Sequence, residues 1–282
     1  MAANGNLPTL GVCLSTAELD HYQAFVREAG RDVELQDFVR AEALSGDWQP
    51  VAERAKALLD GHDGRWGIHG PFWGLDLGTI DPDVRTVVQK RLDQGLDVCE
   101  AIGGTHMVIH SPVTIWDYHN LDAWADARER LMEAFHANVA PAVRRAEAIG
   151  CTLMLENIQD CDPSLRVAMV ESFDSPGIRV SIDTGHANYC HGQHNAPPVD
   201  YYVRAAGKAL GHVHLQDTDG YADRHWVPGE GNIPWKVVFD VLHEASGLDD
   251  GAEAMPRLML ELRDKSGIPA AVEHLSALGL AR

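Results

Sequence analysis

Lysine is scarce in this chain, with five in 282 residues, and 23 basic groups face 42 acidic ones for a formal net charge of −19. A surface this acidic repels phosphate backbones, because tight nucleic-acid binding needs several Lys or Arg contacts, so DNA is not an expected partner. No apolar run approaches the roughly 18 residues that span a bilayer, and no membrane class is expected. The opening MAANGNLPTLGVCLS lacks a basic segment before its short apolar run, which argues against a secretory leader. The five cysteines (Cys13, Cys99, Cys151, Cys161 and Cys190) form an odd set without a CxxC pair. Reduced, mostly buried thiols in a cytoplasmic protein are the expectation. No GxGxxG follows the first apolar run, which disfavours an open dinucleotide-binding sheet. No linker, low-complexity segment or block of like charge divides residues 1–282, so one domain is expected.

What the chain does contain is alternation. Strand-like runs at Leu10–Leu14, Val33–Gln36, Trp66–His69, His106–His110, Thr152–Glu156, Ile178–Asp183, His212–Leu215 and Leu258–Leu262 are separated by helical patterns. In one of these, Leu92, Leu96, Cys99 and Ala101–Ile102 repeat at the i, i+3/i+4 spacing of a buried stripe. The longest pattern, Ala123–Ile149, reads as one helix, and His191-Gly-Gln-His194 reads as a polar loop. Eight strands alternating with eight helices pair in parallel, and over this length they predict a single (β/α)8 barrel.

The residues that end the runs carry the chemistry. His69, His110, Glu156 and Asp183 each finish an apolar run, His186 follows in Asp-Thr-Gly-His, and His214 and Glu261 lie on the last two runs. A parallel barrel gathers all carboxyl ends of its strands on one face, so these positions converge. The stretch Gly211–Trp235 adds Asp223 and His225, two residues apart, in a polar loop that also holds Asp217 and Asp219, with a helix predicted to start near Pro234. Singly, each has an ordinary reading as a core histidine, a cap or an ion pair, and His212 is expected to be such an interior group below His214. Together, four carboxylates and five imidazoles crowded on one face repel or neutralise one another unless cations bind among them. Nine ligands exceed one ion's needs and suit two or three divalent ions, zinc or manganese. The pairs sort as His69 with His110, Asp183 with His214 and Glu261, and His186 with Asp223 and His225, bridged by Glu156. Such a cluster lowers the pKa of bound water to about 7 and can clamp a phosphoester.

The stretches His69, His110, Leu155-Glu156-Asn157, Asp183-Thr184-Gly185-His186-Ala187, His214-Leu215-Gln216-Asp217, Asp223-Arg224-His225, Gly229-Glu230-Gly231-Asn232-Ile233 and Glu261 resemble the xylose isomerase-like TIM-barrel superfamily, and within it the endonuclease IV branch. That resemblance implies nine residues holding three zinc ions that hydrolyse a phosphodiester. Single-metal sugar isomerases and epimerases of the superfamily need only the equivalents of Glu156, Asp183, His214 and Glu261, with the two glutamates moving a proton beside a carbonyl. The acidic surface departs from a DNA-binding relative. Phe72 and Trp73, Trp116 and His191 are expected at the mouth as substrate contacts, the first two as a pocket wall. The expectation from sequence is therefore a metal-dependent hydrolase of a small phosphoester, a phosphodiesterase-like enzyme in which Glu156 and Glu261 are catalytic. The alternative is a sugar or polyol isomerase or epimerase using those glutamates as an acid/base pair, and a third reading is a metal-stabilised protein without catalysis. A small-molecule substrate is expected, and assembly of identical chains stays open.

Overall fold

A computed structural model describes residues 7–245 and 256–282, so the first six residues of the expected leader-free N-terminus lie outside the described part. Eight strands close into a barrel in chain order: β1 Gly11–Leu14, β2 Val33–Leu35, β3 Trp66–His69, β4 His106–His110, β5 Thr152–Glu156, β6 Ile178–Asp183, β7 Leu210–Leu215 and β8 Arg257–Leu260. Every described pairing is parallel, from β1–β2 round to β7–β8 and β8–β1. This is the single (β/α)8 barrel that the alternation predicts.

Side chains alternate along each strand, and the two faces differ in kind. Val33 and Leu35, Ile68, Met107 and Ile109, Leu153 and Leu155, Val180 and Ile182, Val213 and Leu215, and Leu258 and Leu260 point outward and join one apolar core with the helices. The opposite parity carries Glu34, His106, Ser181, Asp183, His212, His214 and Glu156, all buried and all polar. The barrel interior is therefore rich in polar groups, interleaved with Cys13, Val108, Met154 and Met259, inside an apolar sleeve.

The helices are α1 Thr16–Glu28, α2 Ala41–Ser45, α3 Gln49–Leu59, α4 Pro82–Ile102, α5 Ile115–Asn120, α6 Ala127–Ala148, α7 Pro163–Glu171, α8 Thr184–His194, α9 Val199–Ala206, α10 Trp235–Ala245 and α11 Ile268–Ala277. Local chemistry sets several boundaries. Ser15 and Glu18 form a capping box on α1, Asp81 caps α4 ahead of Pro82, and Gly103 ends α4 in the left-handed conformation. The expected single helix at Ala123–Ile149 is preceded by the separate α5, whose own Thr114–Asp117 box starts it. His191–His194 is not a loop but the last turn of α8, which Asp183 caps through the His186 amide. Strand β8 stops at Leu260, so Glu261 stands one residue past it. Among the described residues no helix is long and apolar enough to cross a membrane. All five cysteines are free and buried.

Candidate metal centre at the carboxyl end of the barrel

The register of the strands sets the floor of the site. His110 pairs with Glu156, and Asp183 with His214, so ligand-type side chains from β4 to β7 sit at neighbouring heights. Two amides lock this floor. Asn157 accepts from the Asp183 amide at 2.9 Å and donates to the Asp183 carbonyl at 3.1 Å, tying the end of β5 to the end of β6. Gln216, fully buried past β7, donates to Asp183 Oδ1 at 3.2 Å and Asp223 Oδ1 at 2.8 Å, and its oxygen accepts from the His225 amide at 2.7 Å. Gly185 makes room for it: a Cβ there would stand 2.2 Å from Gln216 Cδ. Asp-Thr-Gly-His and Gln216 are thus two halves of one joint.

The loop after β7 is tied by Asp217. Its carboxylate accepts from the amides of Gly229 at 2.7 Å and Ile233 at 3.2 Å and from the Trp235 indole at 2.9 Å. Gly231 lies so near that a Cβ would fall 2.3 Å from Asp217 Oδ1, which accounts for the glycine of Gly-Glu-Gly-Asn. The loop delivers His225 with φ +53, a left-handed backbone held by its amide bond to Gln216.

Four of the five imidazoles are aimed by what holds their second nitrogen. Nδ1 of His69 faces the Gly70 carbonyl at 3.0 Å, Nδ1 of His186 the Asn157 carbonyl at 2.9 Å, and Nδ1 of His225 the Glu261 carbonyl at 3.0 Å. Carbonyls only accept, so in these three rings Nδ1 carries a proton and Nε2 is the nitrogen left to meet a cation. His214 is turned round: its Nδ1 lies 3.0 Å from Glu156 Oε1 and 3.4 Å from Glu261 Oε2.

Three ligand sets result, each with its donor atoms within 4.8 Å of one another: His69, His110 and Glu156; Glu156, Asp183, His214 and Glu261; and His186, Asp223 and His225. In the first set the two Nε2 atoms stand 3.4 Å apart and lie 3.6 and 3.5 Å from Glu156 Oε2. Those spacings exceed charge-assisted hydrogen bonds of about 2.7–2.9 Å. They fit the edges, about 3.4 Å, of a tetrahedron with metal–nitrogen bonds of about 2.0–2.1 Å. Glu156 Oε2 is buried without a hydrogen-bond partner, an orphan that a cation would satisfy.

Burial and crowding shift the charges of the site. Burial, reinforced by Glu156 and Glu261 against His186, pushes Asp183 up to about 6. Burial lowers His110 to about 3 despite Glu156. Burial would also lower His225, but Asp223, Glu261 and Asp183 carry it to about 9. The donor set suits divalent ions.

Above the floor opens a cavity of ≈ 570 Å³ lined by Gln36, His69, Phe72, Trp73, His110, Glu156, His186, Asp223, His225 and Glu261 among others. Phe72 stacks on His110 at 4.1 Å and forms wall rather than floor. Thus all nine ligand-type residues expected from sequence are brought together, with Asp183 and His214 beneath the lining. Phe72 and Trp73 reach the cavity. Trp116, 71% exposed, does not line it, nor does His191, whose ring faces the Ala196 carbonyl at 2.7 Å from the outer side of α8. Three roles were not read from the sequence: that of Gln216, which stands in the stretch after His214, and those of Glu34 and Gln36 in the second run. Gln36 donates to Glu261 Oε1 at 2.6 Å, and Glu34 lies under His214. The available signal was parity, since Glu34 and Gln36 share one face of an otherwise apolar second strand.

Comparison with known proteins corrects the activity expected first. Fructoselysine 3-epimerase of Escherichia coli O157:H7 is 30% identical over 103 residues, which is 34% of this chain and 36% of that protein. The chain spans no more than 63% of the length of the curated relatives it matches here. Among solved structures, the TTHB071 protein of Thermus thermophilus, soaked with zinc chloride, is 25% identical with TM-score 0.67, covering 97% of this chain and 99% of that one. A D-tagatose 3-epimerase-like protein is 21% identical with TM-score 0.74, covering 95% and 96%, and shares the fold. The named activities are epimerisations, which overturns the expectation of a phosphoester hydrolase in favour of its alternative. The physical reason is that a ligand set determines how many cations are held but not which bond is broken; a buried glutamate beside a cation serves a C–H proton as readily as an attacking water. Residues 23–275 match the model described as the xylose isomerase-like TIM barrel, and the chain belongs to that family.

Proposed function

We propose that this protein is a metal-dependent epimerase or isomerase of a small sugar or polyol, exchanging a proton on the carbon beside a carbonyl between Glu156 and Glu261. The observation that carries the reading is the convergence of these two carboxylates on one imidazole nitrogen, His214 Nδ1, at 3.0 and 3.4 Å. Both also line the cavity floor. Epimerisation needs a base on one face of the carbon and an acid on the other, and a pair of carboxylates anchored on two different strands, at the end of β5 and after β8, can supply both. Their environments differ, as the two roles require. Glu156 is sealed and keeps an orphan oxygen, while Glu261 is held by the Gln36 amide. Phe72 and Trp73 wall the cavity and would limit water at the reacting carbon.

Glu156, Asp183, His214 and Glu261 would hold one divalent ion, with His69 and His110, and His186, Asp223 and His225, available for further ions to a total of two or three, zinc or manganese. A bound ion would draw electron density from the substrate carbonyl and so acidify the neighbouring C–H. The small sugar class follows the named activities of the epimerase relative and neighbour.

The test is solvent-deuterium incorporation into ketohexoses by the metal-loaded protein, followed by NMR. Uptake of one deuteron at a carbon beside the carbonyl, lost in Glu156→Gln and Glu261→Gln, is expected. Absence of exchange across ketoses, ketose phosphates and keto-polyols with both metals would reject the assignment.

A further inference from the structure

One layer beneath the floor, Glu34 occupies the middle of β2, paired with Cys13 of β1 and Gly67 of β3 and fully buried. A carboxylate in such a place is costly unless its lone pairs are met. Its ion-pair partners among the described residues are all imidazoles. His214 Nε2 lies 2.9 Å from Oε1, while His212 Nε2 and His106 Nε2 lie 3.2 and 3.4 Å from Oε2. The Cys13 thiol points at Oε1 from 3.6 Å.

The tautomers follow from the neighbours. A carboxylate only accepts, so Glu34 favours a proton on His212 Nε2, and the Ser181 hydroxyl, 2.9 Å from Nδ1, can then donate to that nitrogen. Glu34 thus faces three imidazole nitrogens and a thiol in the barrel interior, with only His214 at full hydrogen-bond distance. The atoms Glu34 Oε2, His106 Nε2 and His212 Nε2 could by themselves form a ligand triangle. The Arg257 charge acts on both of those imidazoles and opposes a cation there.

His214 is held differently from the other rings. His69, His186 and His225 are aligned by neutral carbonyls through Nδ1 and present Nε2. His214 is aligned by a carboxylate through Nε2 and presents Nδ1 to Glu156 and Glu261. We propose that Glu34 is a positioning residue for the metal centre: it fixes His214 in the Nε2–H tautomer and raises the basicity of Nδ1 as a ligand atom, with His106, His212 and Cys13 holding the carboxylate in place. A carboxylate behind an imidazole ligand orients the ring and strengthens its bond to the metal, and loss of such a partner typically costs 10–100-fold in affinity. The inference rests on the proposed ion at Glu156, Asp183, His214 and Glu261, but not on the reaction performed there.

The experiment is zinc affinity by competition with a chromophoric chelator, on wild type and Glu34→Gln, with melting of each metal-free protein alongside. The expected result is zinc binding about 10–100-fold weaker in the variant, with cooperative melting retained. Equal affinity in the two proteins overturns the role of Glu34 and leaves the metal centre standing. Failure of wild type to bind zinc overturns the metal centre and this inference with it. If Glu34→Gln does not fold, histidine nitrogen NMR of the zinc-loaded wild type decides. A protonated Nε2 and a metal-shifted Nδ1 on His214 support the proposal, and the reverse pattern rejects it.

Discussion

The two ends of the barrel treat charge in opposite ways. At the amino end, arginines are matched to groups that the fold already supplies. Arg31 donates to the Leu10 and Arg282 carbonyls at 2.9 and 3.0 Å, Arg179 to the Leu210 carbonyl at 2.9 Å, and Arg65 grips Asp32 at 2.5 Å. At the carboxyl end, four carboxylates and five imidazoles leave an oxygen of Glu156 unpartnered and Asp183 pushed up to about 6 by burial and by its neighbours. One end is closed largely by its own hydrogen bonds, with Arg31 Nε and Arg257 Nε left over, and the other gathers ligand-type groups around an unpartnered carboxylate oxygen. In parallel barrels stability and chemistry are divided between the ends in this way.

The largest effect expected from breaking the contrast is at the carboxyl end. Glu156→Gln keeps shape and removes the proton acceptor, so deuterium exchange should fall by about 10²–10⁴-fold while the metal-free protein melts as wild type does. A variant that kept full exchange would remove Glu156 from the proton path.

Metal should separate the ends next. Ion present at about 100 times its dissociation constant should stabilise the fold by about 2.7 kcal/mol, read as a raised midpoint that chelator reverses. An unchanged midpoint would mean that the site is not completed by a cation.

The polar layer between the ends sharpens the comparison through pH. Burial and the Arg257 charge lower His106 to about 3. Between about 3 and 6.5 the unfolded chain binds a proton there that the folded chain refuses, so stability rises with pH across that window, by about 1 kcal/mol per pH unit for one such group. Urea titrations of the metal-free protein should show this slope, and His106→Asn should flatten it by that amount.

The smallest effect belongs to the amino end. Arg65→Ala removes a pair whose side chains are 35% and 13% exposed, and solvent screening limits the loss to about 1 kcal/mol. Zinc content and exchange rate should not change. If either fell, the two ends would be coupled through the barrel.

Much of this was legible in the residues themselves. Strand ends such as Ile-His69, Ile-His110, Leu-Glu156 and Ile-Asp183 read directly because an apolar run stopping at a ligand-type residue is a local pattern. The first turn of α8 was hidden inside Thr-Gly-His, where capping by Asp183 starts a helix at the ligand itself. Trp116 and His191 follow ligand-bearing strands in sequence yet do not line the cavity, because the helices α5 and α8 carry them away from it. The reaction was misread because ligand number is written in the sequence, whereas the bond attacked depends on which carboxylate meets which substrate atom.

The sequence by itself determined the eight-fold alternation, the parallel pairing that follows from it, and the convergence of nine ligand-type side chains, since periodicity and strand direction are properties of consecutive residues. Tertiary structure decided what lies behind those residues. Glu34 reaches His214 across 180 positions, and Gln36 reaches Glu261 across 225. Such pairs exist only because closure of the sheet sets β2 facing β7 and the end of β8 across the barrel interior, a distance through space that no local pattern encodes.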